Sequence, residues 1–314
     1  MGKVISGVVI LLCLVLISVY YLIPNPLTFS DAVFVKCNES GAARFVISEN
    51  KWPQWWPEKN SLAKAHNPLE FSYKGNTYLI GNKSHSAVEI GIINKTDTIF
   101  TKLNVFNTGG DSVLLFWQGR IHSGYNPITK LITYRKAMET KNDIHALLQR
   151  LSVFLKNPDN IYGFHFFVTM SKDSTLVATK MNSASYPTTE EIYSLIGKLR
   201  KYIADNQTKE NSYPMLNVKD LETGGYETTV ALPVNKELPG KGEIFFSRFI
   251  PWKGITAEVK GGVQTVNEAL RQMSYYITDH QLVQMAIPHQ SLITDRLLEP
   301  DTSKWSTKIY IPIP

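Results

Sequence analysis

The chain has 314 residues and a net charge of +6, with 43% hydrophobic and 11% aromatic residues. That composition belongs to a globular protein and excludes a disordered or fibrous one. The basic residues are scattered, the densest run being Lys198–Lys201 on a predicted helix, which reads as solvated surface and argues against a nucleic-acid footprint.

The first element is residues 4–23, VISGVVILLCLVLISVYYLI, a run without charge. About 20 apolar helical residues match a hydrocarbon core of about 30 Å. Tyr20 and Tyr21 suit the interface, and Pro24 and Pro26 stop the helix. A cleaved signal peptide would have a shorter core and small residues before its cut site, so the run is read as an uncleaved anchor. Lys3 before it places the N-terminus inside. The expected localisation is thus the cell (inner) membrane, single-pass, with the membrane as partner and the folded domains extracytoplasmic. Outside this run Cys37 is the single cysteine, so no internal disulfide forms.

The next part reads as a strand at Ala32–Cys37, a helical stretch at Ala42–Ile47 and an aromatic cluster, KWPQWWP, at residues 51–57. Strands follow at Leu69–Tyr73, Thr77–Ile80, Ala87–Ile93, Thr98–Phe106 and Ser112–Ile121, several with period-two alternation. A helix from Met138 to Lys156 carries the stripe Ile144, Leu147, Leu148, Leu151, Phe154 and Leu155. The order predicts a curved antiparallel sheet gripping its last helix.

The C-terminal half is a repeat. Leu176–Lys180 reads as a strand; Thr188 and Glu191 form a Thr-x-x-Glu capping box before a helical stripe at Ile192, Leu195, Ile196, Leu199 and Ile203. Strands at Met215–Val218 and Tyr226–Val234 follow. The same order returns: strand Ile255–Lys260, a second box at Thr265 and Glu268, a stripe at Val266, Ala269, Leu270, Met273 and Ile277, then strands at Gln290–Thr294 and Thr307–Ile313. The reading is two strand–helix–strand–strand units sharing one sheet, with both helices on one face.

These pieces carry a family resemblance. LVATK…YPTTEEIY, YETTVALPV, AEVKGGVQTVNEAL and STKIYIPI, within residues 160–314, resemble the GyrI-like effector-binding domain. Residues 28–158 resemble the SRPBCC (START-like, polyketide cyclase-like) helix-grip family, through the strand-to-helix opening, Trp52, Trp55 and Trp56, and the terminal helix. With residues 1–25 as the anchor, the arrangement is similar to Bacteroidetes-type bacterial envelope proteins. The expected fold is α+β: a transmembrane helix, a helix-grip domain, then a duplicated β-α-β-β domain with an antiparallel sheet and two helices. The resemblance implies a cavity for small apolar or amphipathic molecules. In drug-binding relatives a Pro-Phe-Glu-x-Tyr motif supplies a buried acid for cations. Here Pro288-His289-Gln290-Ser291-Leu292 places Gln290 at the acid and Leu292 at the Tyr, a departure that argues against both cation recognition there and hydrolysis.

Candidate ligand-binding residues are Glu227, Tyr226, Gln290, Trp252, Tyr276 and Trp305. Glu227 is either an exposed strand residue or a cavity acid whose proton affinity burial would raise. Trp52, Trp55 and Trp56 form either core or a ligand platform. Glu191 and Glu268 read as capping residues before they read as acids. The seven His, at 66, 85, 122, 145, 165, 280 and 289, have no metal-ligand spacing, and no phosphate loop or Ser nucleophile elbow is present. The expected function is a non-catalytic sensor, scavenger or carrier of small hydrophobic molecules, without cofactor or metal. The alternative is a hydrolase or isomerase using Glu227 and a nearby Tyr.

Overall fold

A computed structural model describes residues 2–58, 69–94, 97–172 and 174–314. The chain divides into two compact units, Met1–Ile161 and Tyr162–Pro314. Both are α+β, built on antiparallel sheets.

The first unit opens with helix α1 (Gly2–Leu22) and strand β1 (Leu27–Val35), followed by the short helices α2 (Glu39–Ile47) and α3 (Trp52–Trp55). Strands β2 (Glu70–Tyr73), β3 (Asn76–Ser84), β4 (Ala87–Asn94), β5 (Asp97–Asn107) and β6 (Val113–Ile121) then lead to the long helix α4 (Pro127–Leu155). The sheet order is β1-β6-β5-β4-β3-β2. Alternation decides its faces: Ile99, Leu103 and Val105 on β5 are buried while Phe100 between them is exposed. The buried face receives α4 through Ile144, Leu147, Leu148 and Leu151. The helix starts eleven residues before the expected Met138, because Asn126 caps Ile128 N–H at 2.8 Å and Pro127 sits in the first turn.

The tryptophan cluster is core. Trp52, Trp55 and Trp56 are at most 1% exposed. Each indole N–H donates to a carbonyl, of Val46, Phe45 and Ser72 respectively, which satisfies the polar handle that burial strands.

The membrane reading is corrected. Among the described residues no helix is long and apolar enough to cross a membrane, so the single-pass inner-membrane localisation and the membrane partner at residues 4–23 are not carried forward. The end of α1 is instead tied into its own unit. Lys130 on α4, 5% exposed, donates to the carbonyls of Tyr20 at 2.8 Å and Ile23 at 2.7 Å, and lies 4.7 Å from the Tyr20 ring. The ammonium thus satisfies carbonyls that a helix C-terminus leaves open.

Gly119 on β6 marks the tightest approach in this sheet. A Cβ there would stand 2.6 Å from the Phe29 ring and 2.8 Å from Thr101 Cγ2. Gly119→Ala is expected to cost about 1–3 kcal/mol by overpacking, read as a lower urea midpoint for the first unit. An unchanged midpoint would mean that Phe29 swings aside at no cost.

In the second unit α5 (Pro158–Tyr162) runs in from the first. It is followed by β7 (Phe167–Met170), β8 (Ser174–Ser183), α6 (Thr189–Asp205), β9 (Met215–Asp220), β10 (Tyr226–Val234) and β11 (Phe245–Phe249). Then come β12 (Lys253–Lys260), α7 (Val263–Asp279), β13 (His289–Leu292) and β14 (Ser306–Pro312). The sheet order is β11-β8-β10-β9-β13-β14-β12-β7. The duplicated strand–helix–strand–strand order is present, and two short edge strands, β7 and β11, extend the six expected strands to eight.

The first capping box forms: Thr188 Oγ1 accepts from Glu191 N–H at 3.2 Å, and Glu191 accepts from Thr188 N–H at 2.8 Å. The second does not. Helix α7 begins at Val263 with Gly262 as its N-cap, so Thr265 lies inside the first turn, and Glu268 binds Arg271 at 2.6 Å and Gln272 at 2.8 Å.

Candidate functional site

Register places the site. Directly paired residues of neighbouring strands share a face. One row across the centre of the second sheet runs Val230, Leu216, Gln290, Ile309, Ala257. Val230 and Leu216 belong to the core beneath α6; Ile309 and Ala257 belong to the core beneath α7. Both helices therefore cover one face, each over its own core, and the polar member of the row falls between them. Gln290 is 5% exposed. The next row repeats the pattern, with Thr307 buried between Leu292 and Val259.

A polar and aromatic group fills this crevice. The side-chain amides of Gln290 and Asn267, the latter on α7, lie beside the Tyr186 hydroxyl, where as polar neighbours they oppose the effect of burial on its pKa. Tyr186 comes from the loop before α6, and its ring meets Tyr226 edge-on at 5.4 Å. Burial raises the Tyr186 pKa, so the phenol is neutral at physiological pH. Arg296, from the loop between β13 and β14, lays its guanidinium 4.7 Å from the Trp305 ring and donates from Nη2 to Thr307 Oγ1 at 2.9 Å. Its backbone N–H donates to the Tyr193 hydroxyl at 2.7 Å. Tyr193, on α6, also lines a pocket of about 530 Å³ with Leu292, Arg200, Glu210 and Asp295.

Three of the six candidate residues meet in this crevice: the Tyr226 ring meets Tyr186, Gln290 lies beside it, and Trp305 joins through Arg296. The other three lie elsewhere. Glu227 follows Tyr226 by one residue and so points to the opposite face, where Lys180 holds it at 3.0 Å. Tyr276 packs on the outer side of the α7 core against Tyr162, Phe166 and His280. Trp252 is 39% exposed, and its carbonyl accepts from the Tyr310 hydroxyl and from Ser171 N–H. Sequence reasoning missed Tyr186, Tyr193, Asn267 and Arg296. Tyr193 sits next to the Ile192–Ile196 stripe, the one signal that could have found it.

The opposite face of this sheet carries a second aromatic group. His289 lies between Phe249 at 5.0 Å and Tyr310 at 5.2 Å. Desolvation pushes its pKa down from 6.5 to about 4.

The first unit holds a cavity of about 1080 Å³ between strands β1 and β3–β6 and helix α4. Its wall mixes apolar groups, Phe29, Ile90 and Met138, with the basic Lys102, Arg120 and Lys141. His66 falls outside the described residues. Among the described residues no three His, Cys, Asp or Glu side chains gather as a metal site.

No family model matches the chain, and no curated protein matches it. Solved structures do. The EcmrR C-terminal domain matches 48% of this chain and 98% of its own, at 13% identity and a TM-score of 0.43. A hydrolase from Listeria innocua matches 48% and 91%, at 8% identity and a TM-score of 0.37. SAV2435 bound to tetraphenylphosphonium matches 48% and 94%, at 16% identity and a TM-score of 0.33. Likenesses at this level assign no role to any residue here.

Proposed function

We propose that the chain is a non-catalytic binder of small amphipathic molecules, acting as sensor, scavenger or carrier, with the crevice between α6 and α7 as its reading site. The observation that carries this is the interruption of two separate cores by two buried polar side chains, Gln290 on β13 and Thr307 on β14, in successive rows at the centre of one sheet. A sheet centre built for stability alone would continue the apolar core, because burying polar groups costs free energy unless they are paired. The duplicated β-α-β-β order resembles that of GyrI-like effector-binding domains, which supports the reading. The first unit, with its strand–two helices–five strands–long helix order, resembles a helix-grip domain, and its cavity offers a second chamber for an apolar ligand.

A hydrolytic reading built on Glu227 has less support. The carboxylate stands on the far face from Tyr186 and is engaged by Lys180, so it forms no acid–base pair with that phenol.

The test is a thermal-shift and native mass-spectrometry screen of the full chain with neutral, cationic and anionic amphiphiles. The reading expects at least one class to be retained and to raise the melting temperature, with the effect lost in Gln290→Leu. Failure of every class to bind would contradict it, as would binding that Gln290→Leu leaves untouched.

A further inference from the structure

Four charged side chains are buried among the described residues: Lys130, Asp143, Asp279 and Arg296. A buried charge normally comes with its complement, since an unpaired one carries a large desolvation cost. Asp143 follows this rule, meeting the Lys74 ammonium at 2.7 Å. Lys130 meets two carbonyl oxygens and Asp279 accepts from the Tyr162 hydroxyl at 2.8 Å, so both are held by neutral hydrogen-bond partners. Among the described residues Arg296 has no countercharge either, and most of its donors are unmatched. It is 6% exposed, and its guanidinium has five N–H donors, of which one, on Nη2, reaches an acceptor, Thr307 Oγ1. No carboxylate among the described residues pairs with it. Its neighbours in the crevice, Tyr186 and Tyr193, are neutral phenols whose pKa values burial raises.

The surroundings of this cation favour a ligand over mere packing. The guanidinium lies over the Trp305 ring, 4.7 Å from its centroid, a cation–π contact that uses none of the N–H donors. Gln290, Asn267 and Tyr186 place further hydrogen-bonding groups in the same crevice, and Tyr226 adds a ring beside Tyr186. A planar guanidinium edge matches a planar carboxylate through two parallel hydrogen bonds.

Resting on the crevice as the binding site, we infer that its ligand is a small organic anion, a carboxylate on an apolar and preferably aromatic body, with Arg296 as the anchoring cation. The ligand supplies the missing counter-charge, and the surrounding rings take its apolar part.

The experiment uses three probes of nearly one shape and different charge: benzoate, benzamide and benzamidinium. Binding to the full chain is measured by saturation-transfer NMR and titration calorimetry, with inorganic phosphate as a fourth probe. The expected result is that benzoate binds at least tenfold more tightly than benzamide, benzamidinium does not bind, and phosphate fails to compete. Arg296→Met abolishes the preference for benzoate while benzamide binding stays. The ligand-free Arg296→Met protein melts at the same or a higher temperature, because an unpaired buried charge has been removed; a structural arginine would give a fall. Benzamide or benzamidinium binding as well as benzoate, with Gln290→Leu still abolishing it, keeps the crevice as the site and overturns the anionic ligand. Phosphate competing equally overturns the carboxylate in favour of a general oxyanion. A preference that survives Arg296→Met, or no response to any of the four probes, overturns the inference.

Discussion

Trp56→Ala is expected to lower the unfolding free energy of the first unit by about 3–5 kcal/mol. The residue is fully buried. Its ring stacks on Trp52 at 5.2 Å and meets Trp55, Phe71 and Tyr78 edge-on or tilted, all within 5.6 Å. Truncation removes this whole apolar area and leaves a cavity that Trp52, Trp55 and Phe71, packed on one another, cannot collapse into. It also strands the Ser72 carbonyl, which accepts from the Trp56 indole at 2.7 Å. Trp252→Ala serves as the comparison: that ring is 39% exposed, and its loss is expected to change stability by less than about 1 kcal/mol. Urea unfolding with two probes, one reporting each unit, reads both. A Trp56→Ala loss below about 1 kcal/mol would mean that the cluster is not the keystone of the unit.

The second large effect is a pH dependence of the second unit. His289 has its pKa lowered from 6.5 to about 4 by desolvation between Phe249 and Tyr310. The imidazole is neutral in the fold. Above pH 6.5 it is neutral in the unfolded chain too, and its contribution is intact. As the pH falls through 6.5 the unfolded chain takes up a proton that the folded one refuses. Stability therefore falls from pH 6.5 towards pH 4, by about 3 kcal/mol at most. His289→Leu removes the proton site and keeps the apolar packing. The difference in stability between variant and parent should be constant above pH 7 and grow in the variant's favour on acidification. A parallel pair of stability curves between pH 7 and pH 4 would show that His289 titrates normally.

Local signals were legible in the sequence, and signals made by tertiary packing were not. Thr188 and Glu191 could be read as a capping box because both partners lie within one turn. The same four-residue pattern at Thr265 and Glu268 misled, because Gly261 and Gly262 let the helix start three residues earlier. Strands β8, β10 and β14 announced themselves through runs of buried β-branched and apolar residues. The edge strands β7 and β11 are short and half exposed, so they carry no pattern that separates them from loops. The first turns of α4 were missed for a related reason: Ile128, Leu131 and Ile132 are exposed there, so no single apolar stripe continues through them. Residues 4–23 show the limit of hydropathy alone, since the run's length said nothing of Lys130, which arrives from more than 100 residues away to hold its end.

Within the crevice, Gln290 stood out because a polar residue occupies a position where an acid is expected by family resemblance. Arg296 gave no such signal. It lies in a charged, loop-like run, Thr294-Asp295-Arg296, and only the folding of that loop over β14 buries it. Tyr186 is likewise a loop residue, brought by the fold beside Tyr226, Gln290 and Asn267.

The most direct measurement of the central claim is hydrogen–deuterium exchange on the full chain, free and saturated with the tightest-binding molecule from the amphiphile screen. Binding between α6 and α7 predicts slowed exchange in the Tyr186–Tyr193 segment, at the start of α7 around Asn267, and through the Gln290–Thr307 stretch. Protection confined to the first unit, or absent from all three segments, would contradict it.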